Sequence, residues 1–391
     1  MPAATNKRIY YAVQQVGIKG DGGSYTFTSG HEVHGAQSFG LSTNFNLEQV
    51  FELGQQAIYE NIDEIPNVEA SISKVLDGYP LLYHLSTVDA TSPSLAGRSA
   101  AKCMLGTAIF PDTNDSATGS ASSVIACSGM FVGSVSYSFP LDGNATEDVS
   151  LVGNHKVWAN TPSHCQTLVA LPTPVFDGQF STNTDSPQAV RGVSRRQDIQ
   201  FGFDSSVGLD NNGMVADPDS TILPPDIYGI SSSGTNEQSN GQDYDAHVSN
   251  ISVSVDFGRE QINELGRLGP YNRFVSFTVE VTTEIEVTAT SGDMVSATED
   301  GIYVLSTGDC AQNTNLLNRT IRISTCEGTR IYLGLKNKLS SVNYGGGDAG
   351  GGNVSVSYSY STFNDFTVVH SGDPHASGST WWSSRSTYLV N

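Results

Sequence analysis

Polar and apolar positions alternate along most of this chain. In Ile251–Asp256 (ISVSVD) every second residue is apolar, the period of a strand with one face buried and one in water. Alternating or β-rich runs predict strands at Ile9–Val16, Val33–Thr43, Val68–Leu76, Leu81–Leu85, Cys103–Phe110, Met130–Phe139 and Asp148–Val152. A second set falls at Asp198–Phe203, His247–Asp256, Phe274–Thr290, Gly301–Leu305, Thr320–Ser324, Thr329–Leu335, Val354–Tyr360 and Phe366–His370. Clusters of Gly, Ser, Asn, Asp and Pro separate them, the residues that turns require. Two segments break the alternation and are predicted as short amphipathic helices, Phe45–Gly54 (FNLEQVFELG) and Phe257–Gly266 (FGREQINELG). Each begins polar, spaces its apolar residues helically and ends in a glycine suited to a left-handed cap.

These two segments also match each other. Without gaps they share Phe, Glu, Gln, Glu, Leu and Gly, with Val50 opposite Ile262. Upstream, Phe39, Leu41 and Ser42 face Ile251, Val253 and Ser254, and downstream Val68 and Glu69 face Val279 and Glu280. A third block, SVSYS, occurs at Ser134–Ser138 and again at Ser355–Ser359. Three blocks in the same order, offset by 212, 211 and 221 residues, predict one β-rich fold present twice. The expected limits are 1–158 and 196–374, joined by a Pro-, Ser- and Thr-containing linker at 159–195 and followed by a C-terminal arm at 375–391. The second copy carries a long polar insertion, Leu209–Asp245, and the hairpin Pro111–Ser123 is paired with Ser341–Asn353. Loops of that length in compact domains are usually functional or disordered.

Length and charge narrow the classes. At 391 residues the chain has room for two domains, each able to bury a core without staples. Charged residues are only 15% of the chain, and 40 acids against 19 bases give a formal net charge of −21. That balance excludes a protein that grips phosphate backbones, which needs clustered Lys and Arg. It is compatible with one that lets DNA pass without adhering. No run of about 18 apolar residues predicts a membrane helix, and Met1–Gln15 has no secretory pattern.

Local motifs carry little chemistry. The five cysteines, Cys103, Cys127, Cys165, Cys310 and Cys326, are odd in number and form no C-x-x-C, so buried thiols are expected in place of zinc ligands. A Cys310–Cys326 bridge closing a hairpin is the one pairing considered. His31 and His34 lack the H-E-x-x-H spacing, and the Asp-rich turns lack the calcium-loop spacing. Gly345–Gly352 lacks the Lys-Ser/Thr and the strand-to-helix setting of a phosphate loop, and reads as a hairpin tip. No catalytic residue, cofactor or metal site is predicted, because no nucleophile, base and orienting group occur together. Trp381 and Trp382, adjacent in a polar tail, are candidate contact residues.

Ala36–Ser86, which contains the short segment Phe45–Gly54, resembles the motif-bearing part of bacteriophage major tail tube proteins, and the second copy repeats the pattern more weakly. The resemblance implies two tandem tail-tube-like β-sandwich or barrel domains, each with one short helix and a long hairpin loop. It implies three subunits closing a pseudo-sixfold ring, rings stacking into a tube, and DNA crossing the lumen without specific binding. The implied partners are further copies of the chain, terminator, baseplate and tape-measure proteins, and a sheath if the tail is contractile. The implied location is the virion tail, after synthesis in the host cytoplasm. Equivalent segments would occupy equivalent interfaces, with Glu48, Gln49, Glu52 and Leu53 matching Glu260, Gln261, Glu264 and Leu265. Competing readings are a baseplate hub or tail-completion protein with the same duplicated domain, and a β-sandwich decoration or receptor-binding module.

Overall fold

The computed structural model describes residues 9–22, 24–110, 121–160, 175–176, 192–199, 221–224, 227, 247–267, 269–289, 317–345 and 352–370. The architecture is mainly β, as the alternation predicts. The first half supplies β1 (Gln14–Gly20), β2 (Thr26–Phe27), β3 (Ala36–Asn44), β4 (Leu47–Phe51), β5 (Ile58–Asp63) and β6 (Asn67–Val75). Two five-residue helices follow, α1 (Leu82–Ser86) and α2 (Leu95–Ser99). Then come β7 (Cys103–Ile109), β8 (Ser123–Pro140), β9 (Thr146–Gly153), β10 (His155–Asn160) and β11 (Val175–Phe176). The second half supplies β12 (His247–Asp256), β13 (Arg259–Ile262), β14 (Asn272–Val275), β15 (Glu280–Thr288) and β16 (Arg322–Ser324). It ends with β17 (Arg330–Tyr332), β18 (Lys338–Gly345), β19 (Ser355–Phe363) and β20 (Thr367–Val369).

One sheet path runs through both halves, in the order β18-β19-β15-β12-β8-β9-β6-β3. The long β8 also turns into a second layer, where its first residues pair with β7 and β10, and β7 pairs with β1. In the second half the corresponding layer is β16-β17-β20. The inward faces fill one apolar cluster that includes Ile72, Val135, Leu151, Val253, Ile285 and Tyr358, drawn from both halves.

The halves agree in register. β3 pairs with β6 and β12 with β15, and both pairings are interrupted at the same place, between Ala36 and Ser38 and between Val248 and Asn250. β9 pairs with β8 and β19 with β18, again with matching interruptions between Val132 and Ser134 and between Leu339 and Ser341. β9 and β19 share one alternation of covered and open positions along eight residues. Bulges are placed by sequence and re-aim a strand, so coincident bulges are a stringent form of agreement.

Several sequence expectations are corrected. Phe45–Gly54 and Phe257–Gly266 are not helices: they contain β4 and β13, each the first strand of a two-stranded arm, β4–β5 and β13–β14. Ten residues are too few to hold a helix without packing, whereas a cross-strand partner satisfies the backbone at once. The glycines read as helix caps instead close turns, Gly54 at φ +90° and Gly266 at φ +82°, with Gln55 N–H donating to Glu52 O and Arg267 N–H to Glu264 O. Positive φ at the third turn position is the usual demand for glycine. Leu81–Leu85, expected as a strand, forms most of α1, because the Glu147 carboxylate accepts the N–H groups of Leu82 and Tyr83. Phe274–Thr290 divides into β14 and β15, and Arg196–Asp198 is a 3-10 turn.

The third repeat block is also misaligned in the sequence reading. Ser134–Ser138 lies on β8, but Ser355–Ser359 lies on β19, which holds the place of β9. The strand in the place of β8 is β18, where Ser341–Gly345 reads SVNYG, so the segment 341–353 begins on that strand and leads to β19, the place of the β8–β9 turn, whereas Pro111–Ser123 leads from β7 into β8. Likewise Val281, not Val279, holds the place of Val68, opposite Val255 as Val68 is opposite Thr43.

Candidate functional site

Three surfaces emerge from this sheet. The first is its open face. Because side chains alternate, each strand sends one row into the core and one outward. Outward rows are Ser38, Ser42 and Asn44 on β3, Glu69, Ser71 and Ser73 on β6, and Thr146, Asp148 and Ser150 on β9. The second half presents Ser254 and Asp256 on β12, Glu280, Thr282, Glu284 and Glu286 on β15, and Ser355 to Ser361 at alternate positions on β19. Short hydroxyl side chains make this face low and polar, with Ser134 and Ser150 bonded across strands at 2.7 Å. Six carboxylates stand on it, Glu69, Asp148, Asp256, Glu280, Glu284 and Glu286, with Lys338 at its rim. A field of one sign on such a face repels phosphate.

The second surface is the pair of arms, which carry the residues singled out from sequence. Glu48 and Gln49 lie on β4, Glu52 and Leu53 at its turn, Glu260 and Gln261 on β13, and Glu264 and Leu265 at its turn. Both sets occupy the same turn and register. Leu53 and Leu265 are wholly exposed at the tips, and Phe51, Ile58, Tyr59, Ile262 and Tyr271 are exposed along the arms. Trp381, Trp382, Cys165 and Cys310 lie outside the described residues, as do most of the 159–195 linker and the 209–245 insertion.

The third is the seam where the halves meet, β8 against β12. Seven residue pairs run antiparallel, from Asn250 opposite Pro140 to Asp256 opposite Ser134, and Phe257 N–H then donates to Gly133 O at 2.9 Å. Two arginines tie the β13–β14 arm to the first half. Arg259 Nε donates to Val132 O at 2.7 Å and Nη1 to Ser99 O at 2.6 Å, with its guanidinium over the Phe131 ring at 4.9 Å. Burial lowers its pKa to about 10. Arg273 Nη2 donates to Asn67 Oδ1 at 2.7 Å and its Nε to Asn154 Oδ1 at 3.2 Å. The sequence reading passed over both arginines. The signal available was that Arg259 stands where the matching segment Phe45–Gly54 has Leu47.

Beneath the seam α1 bridges the halves. His84 Nε2 lies 3.1 Å from Val368 O, and the Tyr83 ring packs at 5.7 Å from Phe366. Glu147, fully buried, accepts from Leu82 N–H at 2.6 Å, Tyr83 N–H at 3.1 Å and the Tyr137 hydroxyl at 2.7 Å. Burial raises its pKa above the ordinary carboxylate value, outweighing those bonds and the Lys74 charge. Cys103 and Cys127 are buried thiols, both with pKa raised mainly by burial, whereas Cys326 is exposed, against the expectation of burial. Among the described residues no group of three His, Cys, Asp or Glu is placed to hold a metal, and no helix is long and apolar enough to cross a membrane.

No protein-family model and no curated protein matches the sequence. Among solved structures, a chain of the PVC sheath–tube complex, an extracellular contractile injection system in its extended state, is 10% identical with a TM-score of 0.30 and covers 40% of this chain and 95% of its own. A chain of the anti-feeding prophage cap, the AFP tube-terminating cap, is 16% identical with a TM-score of 0.31 and covers 41% of this chain and 97% of its own. At these scores the likeness carries no argument for function.

Proposed function

We propose that this chain is a structural subunit of a phage-tail-like tube, built from two copies of one tube domain at about 1–158 and 196–374. Copies of the chain form rings, the rings stack, and the open face of the eight-stranded sheet lines the channel. The observation that carries this reading is that face: eight strands wide, hydroxyl-rich, studded with six carboxylates and continuous across two halves of matching register. Three such sheets joined edge to edge would make a barrel of 24 strands. At about 4.8 Å per strand and a tilt of about 40°, its backbone diameter is about 48 Å, wide enough for duplex DNA after side chains are allowed for. A polar channel of negative field lets a polyanion slide without binding.

The arms, which bear exposed apolar side chains, suit contacts between successive rings. A subunit of this kind has no need of a catalytic centre. Electron microscopy of the purified chain in negative stain tests the reading: annuli with threefold or apparent sixfold symmetry, stacking into rods, are expected. A chain that stays monomeric at high concentration refutes it.

A further inference from the structure

The seam inside the chain specifies a joint that no single chain can make. β3 and β18 end the sheet path, so each has one backbone edge without a strand partner among the described residues. By register β3 holds the place of β12, and β18 holds the place of β8. Since β12 is seated on β8 within the chain, we propose that β3 of one copy seats on β18 of a second copy with the same pairing. The joint rests on the ring reading above.

Transferring the β8–β12 pairs residue by residue sets Gly40 opposite Gly345, Leu41 opposite Tyr344, Ser42 opposite Asn343, Thr43 opposite Val342 and Asn44 opposite Ser341. Phe45 N–H then donates to Ser340 O, as Phe257 N–H does to Gly133 O.

Burial points to the same occupant. Ile251, Val253, Val255 and Phe257 are at most 2% exposed, whereas Phe39, Leu41 and Thr43, in the first three of these places, are only half-covered and Phe45 is 64% exposed. On the other edge Tyr344 is 55% exposed where Tyr137 is 1%. Neither edge carries the run of charges that keeps strands apart: β3 has no charged residue, and β18 has only Lys338, at its first position. The arginine anchors are not repeated, because Leu47 and Asn61 occupy the places of Arg259 and Arg273. The joint between copies is therefore the weaker of the two, and the seam within the chain is preformed.

A register is testable by disulfides. Phe257 and Gly133 form a hydrogen-bonded pair, so Ser254–Ser136 is a non-hydrogen-bonded pair with Cα atoms about 4.5 Å apart, within disulfide reach. Its transferred equivalent is Ser42–Asn343. Ser42→Cys with Asn343→Cys should oxidise to covalent dimers and closed trimers under assembly conditions. The two positions stand on the first and last of eight strands within one chain, seven strand spacings or about 34 Å apart, so no internal bridge competes. Ser136→Cys with Ser254→Cys, expected to bridge internally, checks the chemistry, and Ser42→Cys with Lys338→Cys is the off-register control. Thermal melting before oxidation establishes that each variant folds. Rings without the Ser42–Asn343 bridge, or with the off-register bridge in equal yield, overturn the joint and leave the ring. Open filaments bridged at Ser42–Asn343 keep the joint and overturn the closed ring. A chain that neither bridges nor assembles overturns both.

Discussion

Phe45 and Phe257 occupy the same place in the two halves, and truncating each separates folding from assembly. Phe257 is 1% exposed, with its ring 6.4 Å from Tyr83 and beneath Arg259 at 5.5 Å. Phe257→Ala is expected to cost about 3–5 kcal/mol of unfolding free energy. Phe45 is 64% exposed in the single chain. Fully burying a phenylalanine is worth about 1.5–3 kcal/mol, so Phe45→Ala forfeits about a third of that, roughly 0.5–1 kcal/mol. If a neighbouring copy covers it as Phe257 is covered, the remaining two thirds is lost from each joint, about 1–2 kcal/mol. That is about a 5- to 30-fold weaker joint. Urea unfolding of the unassembled chain reads the first pair of values, and sedimentation velocity across concentration reads the last. The reasoning fails if Phe45→Ala destabilises the unassembled chain as much as Phe257→Ala, or assembles at the wild-type concentration.

At the arm tips, Leu53→Glu with Leu265→Glu should leave the melting curve unchanged, since both side chains are wholly exposed, yet shorten the rods seen by electron microscopy. Rods of unaltered length would remove the arms from ring-to-ring contact. On the open face, Glu69→Lys, Asp148→Lys and Glu284→Lys together should make assembled tubes retain duplex DNA, with retention falling steeply as salt rises; equal retention by wild type and variant would show that this face does not meet DNA. For Glu147, a folded pKa raised above 4.5 means that the unfolded chain releases its proton first, so wild-type stability declines as pH rises from about 4.5 through the folded value. Glu147→Gln should abolish that slope in pH-dependent denaturation and, by leaving one buried N–H without an acceptor, lower stability by about 1–3 kcal/mol; a variant with the wild-type slope would place the titration elsewhere.

Much of this was legible from sequence. Alternation located β6, β7, β9, β12 and β19 to within a few residues, because a half-buried strand writes its period directly into side-chain polarity. The kinship of Phe45–Gly54 with Phe257–Gly266 was equally plain, and the structure gives both the same turn at the same position. Their conformation was not. FNLEQVFELG places apolar residues at both helical and strand spacings, and only the partner strands β5 and β14, whose paired residues lie 7 to 16 positions away, decide between them. Identity misled at SVSYS: two strands with the same letters occupy different places, while SVNYG, less alike, occupies the right one. Five letters of alternating Ser and apolar residues fit any strand of this sheet, so register had to come from backbone pairing.

The sequence alone determined the mainly β class, the acidic balance and the match of Phe45–Gly54 with Phe257–Gly266, since each depends on local side-chain chemistry and composition. The tertiary structure decided which hydroxyls and carboxylates share one face, which thiols are enclosed, and which strand edges remain open. Those depend on pairings between residues far apart in the chain, where a one-residue shift exchanges the buried row for the exposed one. The seam of β8 with β12 is the plainest case, because nothing local to either strand names the other as its partner.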